Sequence, residues 1–176
     1  MLGSMPPFVL FFVGAIIVAF TKGTVRKGVV LGIPILGLIN LIMTAGADVG
    51  APSAIGESVP QIYLTLELLG YELQPYRADK LSLLFGYLFH IAAFLGFIYA
   101  LHLGDGTPDG SVASDVGEDD IIGNDKAGMQ HVSAMLYAGS AIGAVFASDF
   151  ITLFVLWELL AITRSEEHTS ELQSQF

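Results

Sequence analysis

The sequence contains no cysteine and little charge. The lack of cysteine excludes disulfide bonds, thiol catalysis and cysteine-based metal sites. Charged residues form 14% of the chain, whereas an average soluble domain carries about 25%. The net charge of −10 argues against a nucleic-acid partner, because phosphate binding requires clustered Lys and Arg. No phosphate-binding loop, dinucleotide fingerprint, Ser-His-Asp set or metal motif is present, so we expect no metal and no cofactor.

The chain is instead rich in apolar residues, which form 53% of it and give a mean hydropathy of +0.68. The few charges cluster, and the long charge-free stretches between them are typical of membrane spans. These stretches predict spans at about residues 6–21, 28–45, 80–103, 129–148 and 149–163. The fifth is too short to cross a bilayer, which takes about 20 residues, so we interpret it as part of a longer helix. The predicted fold is an all-α, polytopic transmembrane bundle of about five helices.

Two polar connections interrupt these spans. In residues 46–80, Ile62, Leu64 and Leu66 alternate with more polar residues, and a period of two predicts a strand. Leu69, Gly70 and Tyr71 would form the turn of a short β-hairpin. Residues 104–127 hold seven acidic residues and several glycines, which predicts a flexible, solvated loop. Calcium binding is the alternative for this loop, but the spacing fits no EF-hand pattern.

The orientation in the membrane follows from the basic residues. Lys22, Arg26 and Lys27 follow the first span, which predicts a cytoplasmic loop there, an N-terminus outside and an extracytoplasmic hairpin. A signal peptide would carry its basic residues before the apolar run. Arg77 and Lys80 lie on the predicted outer side and weaken this assignment without reversing it. We therefore expect a multi-pass protein of the cell membrane, whose partners include the lipid bilayer.

Glu158 is the only charged residue in its apolar segment, FITLFVLWELLAI. It follows Asp149 by nine residues, which corresponds to about 13 Å along a helix, near the middle of a hydrocarbon core about 30 Å thick. A carboxylate at that depth needs a partner, a proton or a water-filled cavity. Proton relay is the functional interpretation. A neutral glutamic acid that only joins two helices by a hydrogen bond is the structural alternative.

Other residues in the spans carry weaker signals. His90 lies midway along the third span, and an imidazole could pass protons near neutral pH; a buried, hydrogen-bonded structural histidine fits the position equally well. Gly139, Gly143 and Ala147 form a small-residue face at helical spacing, which indicates close helix packing. The depth predicted for Trp157 also favours packing over anchoring at the membrane interface.

Two segments of the sequence resemble one family of membrane proteins. HVSAMLYAGSAIGAVFASDFITLFVLWELLAI, from residue 131 to 162, is similar to the fourth and fifth helices of antiporter-like membrane subunits. DKLSLLFGYLFHIAAFLGFIYALH, from residue 79 to 102, resembles their third helix. The family includes the large proton-pumping subunits of respiratory complex I and the large membrane subunits of Mrp-type multisubunit sodium/proton antiporters. The sequence is most similar to the Mrp-type branch, and the resemblance covers nearly all of residues 1–163.

The resemblance implies a function and an incomplete channel. The family's fifth-helix Trp-Glu pair matches Trp157 and Glu158, and that glutamate is a proton-channel residue in the family. The lysines that accompany it lie on later helices that this sequence lacks, and the acidic loop has the character of an insertion. The resemblance implies a subunit that moves protons, with sodium as the candidate ion in exchange. It also implies assembly with other membrane subunits. The alternatives are a non-redox, proton-pumping subunit of an NADH-quinone oxidoreductase and a non-conducting scaffold subunit.

The last thirteen residues, Arg164 to Phe176, differ sharply from the apolar segment before them. The string RSEEHTSELQS matches the translation of a common DNA-sequencing adapter. We therefore interpret residues 164–176 as adapter read-through, and residues 1–163 as the N-terminal transmembrane part of a longer protein. A natural polar tail is the alternative. His168 and its acidic neighbours receive no functional weight, and we expect the tail to make no specific packing contact, although it favours helix.

Overall fold

The computed structural model describes residues 5–48, 61–68, 70–105 and 119–173. These residues form five helices and one two-stranded antiparallel sheet, so the predicted helical fold with a hairpin is confirmed. The helices are α1 (Pro7–Phe20), α2 (Gly23–Asp48), α3 (Lys80–Asp105), α4 (Asp119–Phe146) and α5 (Phe150–Gln173). The strands are β1 (Gln61–Leu68) and β2 (Tyr71–Ala78).

Helix α4 lies at the centre of the bundle. It packs against α1, α3 and α5, while α2 packs against α1 and α3. The core between these helices consists of large apolar side chains that are almost fully buried: Phe11, Val18, Leu41, Met135, Ile142 and Phe146. The sheet packs through β2 against α4 and α5. Because α4 packs closely against its neighbours, its small residues decide how closely those helices approach.

The two ends of the bundle carry different connections. At one end, the Arg26 guanidinium at the start of α2 lies against Gly128 in α4. At the other end, the Asn40 amide of α2 donates to the Met5 carbonyl before α1, at 2.9 Å. Ser148, just after α4, bonds to the hairpin at this second end. The basic segment around Arg26 and the hairpin therefore lie at opposite ends, as an alternating, antiparallel order of helices requires.

The start of helix α2 differs from the sequence prediction. Helix α2 begins at Gly23 instead of residue 28, so Arg26 and Lys27 lie in its first turns. Arg26 is buried and donates from Nε to the Thr21 carbonyl at 2.8 Å. A polar turn can continue a helix beyond its apolar stretch because helix formation is cooperative. The end of the lipid-compatible segment is therefore not the end of the helix.

The acidic loop predicted at 104–127 is wrong in its second part, because α4 begins at Asp119. Helix formation is cooperative, so a helix can extend through polar residues that precede its apolar run. The first part of the predicted loop is also shorter, because α3 extends to Asp105. Residues 106–118 lie outside the described part of the chain.

Within the described part of the chain, two helical segments are long and apolar enough to cross a membrane. They are Gly23–Met43 in α2 and Lys80–His102 in α3, of 21 and 23 residues. Helix α1 is apolar, but it has only 14 residues, about 21 Å at 1.5 Å per residue.

The hairpin has the turn that the sequence predicts. Gly70 adopts φ +81, a left-handed conformation that other residues rarely adopt. Two irregularities interrupt the pairing of β1 with β2, one between Ile62 and Leu64 and the other between Leu64 and Leu66. Bulges of this kind rotate local peptide groups out of the strand ladder.

A reciprocal cap begins α3 directly after the hairpin. The Ser82 N–H donates to Asp79 Oδ1 at 2.7 Å, and the Asp79 N–H donates to Ser82 Oγ at 2.8 Å. The hydrogen bond from the Ser82 backbone holds the pKa of Asp79 below its ordinary value of 3.8, against the opposing effect of burial. The stabilisation from this carboxylate is present above that ordinary value and is lost as the pH falls through the lower, folded-state value.

Candidate functional site

Helix α5 presents Glu158 on its outward face. The face of α5 that packs on the bundle includes the buried side chains of Leu156 and Thr163. Glu158 follows Leu156 by two residues, which corresponds to a rotation of about 200° around the helix axis, and its side chain is exposed. The side chain therefore faces away from the described bundle, because α4 and β2 cover only one side of α5.

The surroundings of Glu158 are apolar. Its carboxyl lies in a shallow groove on the surface of α5, lined also by Phe150, Leu153, Phe154 and Trp157. No basic side chain lines this groove in the described part of the chain. The arrangement places one carboxyl group on a hydrophobic helix face, without a basic side chain beside it among the described residues.

Trp157 is part of that exposed face and not of a helix contact. It is 67% exposed, so the packing role predicted for it is not found within the described bundle. The reason is the same as for Glu158, since adjacent residues on a helix point in directions about 100° apart and only the face around Leu156 is covered. A packing role for Trp157 requires a surface beyond these five helices.

His90 occupies a different place, inside the junction of α1, α2 and α3. Only 1% of the residue is exposed. Its ring lies edge-on to Phe11 of α1, with 5.5 Å between the ring centres, and Nε2 approaches Gly37 of α2. A methyl group at Gly37 would lie 2.8 Å from that nitrogen. This glycine makes the space that the imidazole occupies.

The hydrogen bonding of His90 fixes its tautomer. The Gly86 carbonyl can only accept, so Nδ1, at 2.6 Å from that oxygen, carries the proton. In this neutral tautomer Nε2 is an acceptor, and it has no hydrogen-bond partner among the described residues. The structure does not bring His90 to Glu158, because the imidazole is enclosed by α1, α2 and α3, while α5 packs on α4 and β2. The two candidate relay residues do not form one site in the described bundle.

No protein family, curated protein or solved structure matches this chain. The chemistry of the site therefore rests on the geometry of the chain itself.

The small-residue face predicted on α4 lies at two helix contacts. A methyl group at Gly139 would lie 2.8 Å from Phe11 Cβ in α1. One at Gly143 would lie 3.1 Å from Leu156 of α5 and 3.2 Å from Phe8 of α1. Ala147 lies one residue beyond the end of α4, in the turn before α5, and is partly buried there.

Helix α5 continues into the tail predicted to be foreign, as far as Gln173. Arg164 and Ser165 are exposed, and the Ser165 hydroxyl donates to the Ile162 carbonyl of the same helix at 2.8 Å. The side chains from residue 166 onward lie outside the described residues. A helical extension is what the helix-favouring composition of this segment predicts.

Sequence reasoning missed the contact between the hairpin and the turn that joins α4 to α5. In this contact the Gln74 N–H donates to Asp149 Oδ2 at 2.8 Å, and the Ser148 N–H donates to the Gln74 carbonyl at 3.0 Å. The Asp149 carboxylate also caps α5 through the Thr152 N–H, at 2.8 Å. An Asp three residues before a Thr at the start of an apolar run is a sequence signal for such a cap, whereas its bond to Gln74 has no local signal.

Proposed function

We propose that residues 1–163 are the N-terminal part of a membrane subunit that translocates protons within a multisubunit monovalent cation/proton antiporter. The position of Glu158 carries this proposal. It is a single carboxyl on an exposed apolar groove, on a helix whose other exposed residues include Phe150 and Phe154. Contact between a carboxyl and hydrocarbon is unfavourable in free energy. In the parent protein, another protein surface or a water-filled path would therefore cover this face.

The outer surface of the bundle supports a multi-pass membrane protein. Large apolar side chains are exposed on several helices, among them Ile16 of α1, Ile42 of α2, Leu84 of α3 and Phe154 of α5. Soluble monomers rarely expose extensive apolar patches. Lipid tails or further helices would cover these faces. The two segments of sufficient length in α2 and α3 are compatible with crossing the bilayer.

The resemblance to antiporter-like subunits supplies the second support. It matches the family's channel glutamate to Glu158, and that carboxyl lies on a face that later helices could cover. The geometry alone does not distinguish a sodium-linked antiporter from the proton-pumping part of an NADH-quinone oxidoreductase, because both use a carboxyl within the membrane. The two differ in what drives proton movement, which is sodium exchange in the antiporter and NADH oxidation in the oxidoreductase.

The test uses the parent protein, in which residue 163 continues into its natural sequence, expressed with its partner subunits in cells without sodium/proton antiporters. Everted vesicles are energised, and a pH-sensitive dye reports the proton gradient. We expect added sodium to dissipate the gradient only in vesicles that contain the parent. Proton movement that requires NADH oxidation and ignores sodium would favour the oxidoreductase. Absence of both activities in assembled protein would overturn the proposal.

The proposed orientation can be tested with single cysteines, since the chain has none of its own. Thr24 and Thr65 are both exposed and lie in the basic segment and in the hairpin, at opposite ends of the bundle. We expect an impermeant maleimide to label Thr65→Cys, but not Thr24→Cys, in intact cells, because basic residues stay in the cytoplasm. Permeabilised cells provide the control, in which both positions should react. Labelling of position 24 alone in intact cells would invert the orientation.

A further inference from the structure

The outer edge of β2 carries a bulge beside Gln74, whose backbone groups bond outside the hairpin. Leu66 pairs with Leu73 and Leu64 pairs with Tyr76, so β2 has one more residue than β1 between these pairs. Gln74 is in this stretch, and its N–H and carbonyl point towards the α4–α5 turn. Gln74 thus presents a backbone donor and acceptor at the outer edge of the hairpin, where another segment can bond to them.

The α4–α5 turn bonds to the backbone of Gln74 as a third strand would. The Ser148 N–H bonds to the Gln74 carbonyl, and the Asp149 carboxylate takes the place of a strand carbonyl for the Gln74 N–H. Behind these bonds the rings of Tyr76 and Phe146 pack with their centres 5.0 Å apart, and both side chains are almost fully buried. The hairpin is therefore held at one defined place on the turn.

The two carboxylate oxygens of Asp149 accept different hydrogen bonds. Oδ1 accepts from the Thr152 N–H at 2.8 Å, which caps α5. Oδ2 accepts from the Gln74 N–H at 2.8 Å and from the Thr152 hydroxyl at 2.6 Å. Hydrogen bonds to a charged acceptor are stronger than neutral ones. One carboxylate thus joins the first turn of α5 to a strand that lies 75 residues earlier in the chain.

We propose that Asp149 is a positioning residue, which fixes the start of α5 to the hairpin and thereby sets where α5 presents Glu158. The functional half of this inference rests on the proton-translocating function proposed above. Glu158 lies nine residues beyond Asp149, so a tilt of about 10° at the start of α5 would move it by about 2 Å. Displacements of about 1 Å can slow a reaction about 100-fold.

Four variants separate the two tasks of this carboxylate. Asp149→Asn keeps a side-chain oxygen for the cap, since Asn is a good N-cap, but turns an NH₂ towards the Gln74 N–H. Asp79→Asn makes the same chemical change at the cap of α3 and leaves the α5 contact intact. Gln74→Pro removes the N–H from the hairpin side. Gln74→Ala keeps that N–H and removes only the side chain.

The structural measurement uses the full 176-residue chain in lipid nanodiscs. Cysteines replace Tyr71 at the hairpin and Ile162 on α5, both exposed, and pulsed electron paramagnetic resonance gives the distance between nitroxides attached to them. We expect one narrow distance distribution in the parent chain, in Asp79→Asn and in Gln74→Ala. Asp149→Asn and Gln74→Pro should broaden or displace it. An unchanged distribution in both of these variants would overturn the inference.

The functional measurement uses the pH dependence of transport by the parent protein. We expect Asp149→Asn to move the pH midpoint by about half a unit or more, because displacement changes the electrostatic environment of Glu158. Asp79→Asn should leave the midpoint in place. A changed distance with an unchanged midpoint would reject positioning of Glu158. If the parent moves no protons at all, the proposed function fails, while the distance measurement still decides whether Asp149 fixes α5.

Discussion

Replacing Glu158 with glutamine should abolish proton movement by the parent protein and leave it assembled in the membrane. Glutamine keeps the length and the hydrogen-bonding capacity of the side chain, but its amide cannot take up and release a proton. Because a positioned acid–base group typically contributes at least 100-fold, we expect a loss of roughly 100-fold or more in rate. The measurement is the sodium-dependent decay of the proton gradient in everted vesicles, divided by the amount of protein in the membrane.

Two further variants show whether titration or shape is responsible. Glu158→Asp keeps a carboxyl with a shorter reach, so it should retain part of the activity. Trp157→Phe changes the neighbouring side chain on the same exposed face and keeps an aromatic ring there, so it should transport at nearly the parental rate. A glutamine variant that transports at the parental rate would favour the scaffold interpretation over the relay.

Sequence patterns predict the number of helices in this chain better than their ends. The apolar runs around His90 and Met135 are long and uninterrupted, and they could only form buried or lipid-facing helices. The sequence prediction misplaces the starts of α2 and α4, because the apolar runs are interrupted by charge near Arg26 and Asp119 while the helices are not. Charge does not prevent helix formation, and acidic residues in a first turn even favour it.

The direction in which α5 presents its carboxyl could not be predicted. Glu158 stands out as the only charge in its segment, but that segment is apolar on every side, so periodicity does not indicate which face is covered. The covered face depends on Gly143 of α4, against which Leu156 packs. The environment of His90 likewise depends on Gly37, which lies 53 positions away from it on another helix. Such pairings arise only in the folded bundle.

The close contact between α1 and α4 leads to the second large expected effect. We expect Gly139→Ala to destabilise the bundle by about 1–3 kcal/mol, the usual range for overpacking a core. The added methyl group would lie 2.8 Å from Phe11 Cβ and 3.3 Å from the Phe12 ring. Cβ moves only with its backbone, so the two helices must separate. Thermal unfolding of the 176-residue chain in mild detergent, followed by circular dichroism, measures the change.

Gly32→Ala is the matched control for this prediction, because nothing lies within 4 Å of a methyl group at that position of α2. There alanine should be neutral or stabilising by up to about 1 kcal/mol, owing to its higher helix propensity. The same propensity gain acts at Gly139, so the difference between the two variants isolates the steric cost of the contact. Equal stability of the two variants would mean that α1 and α4 do not approach as closely at Gly139 as the structure shows.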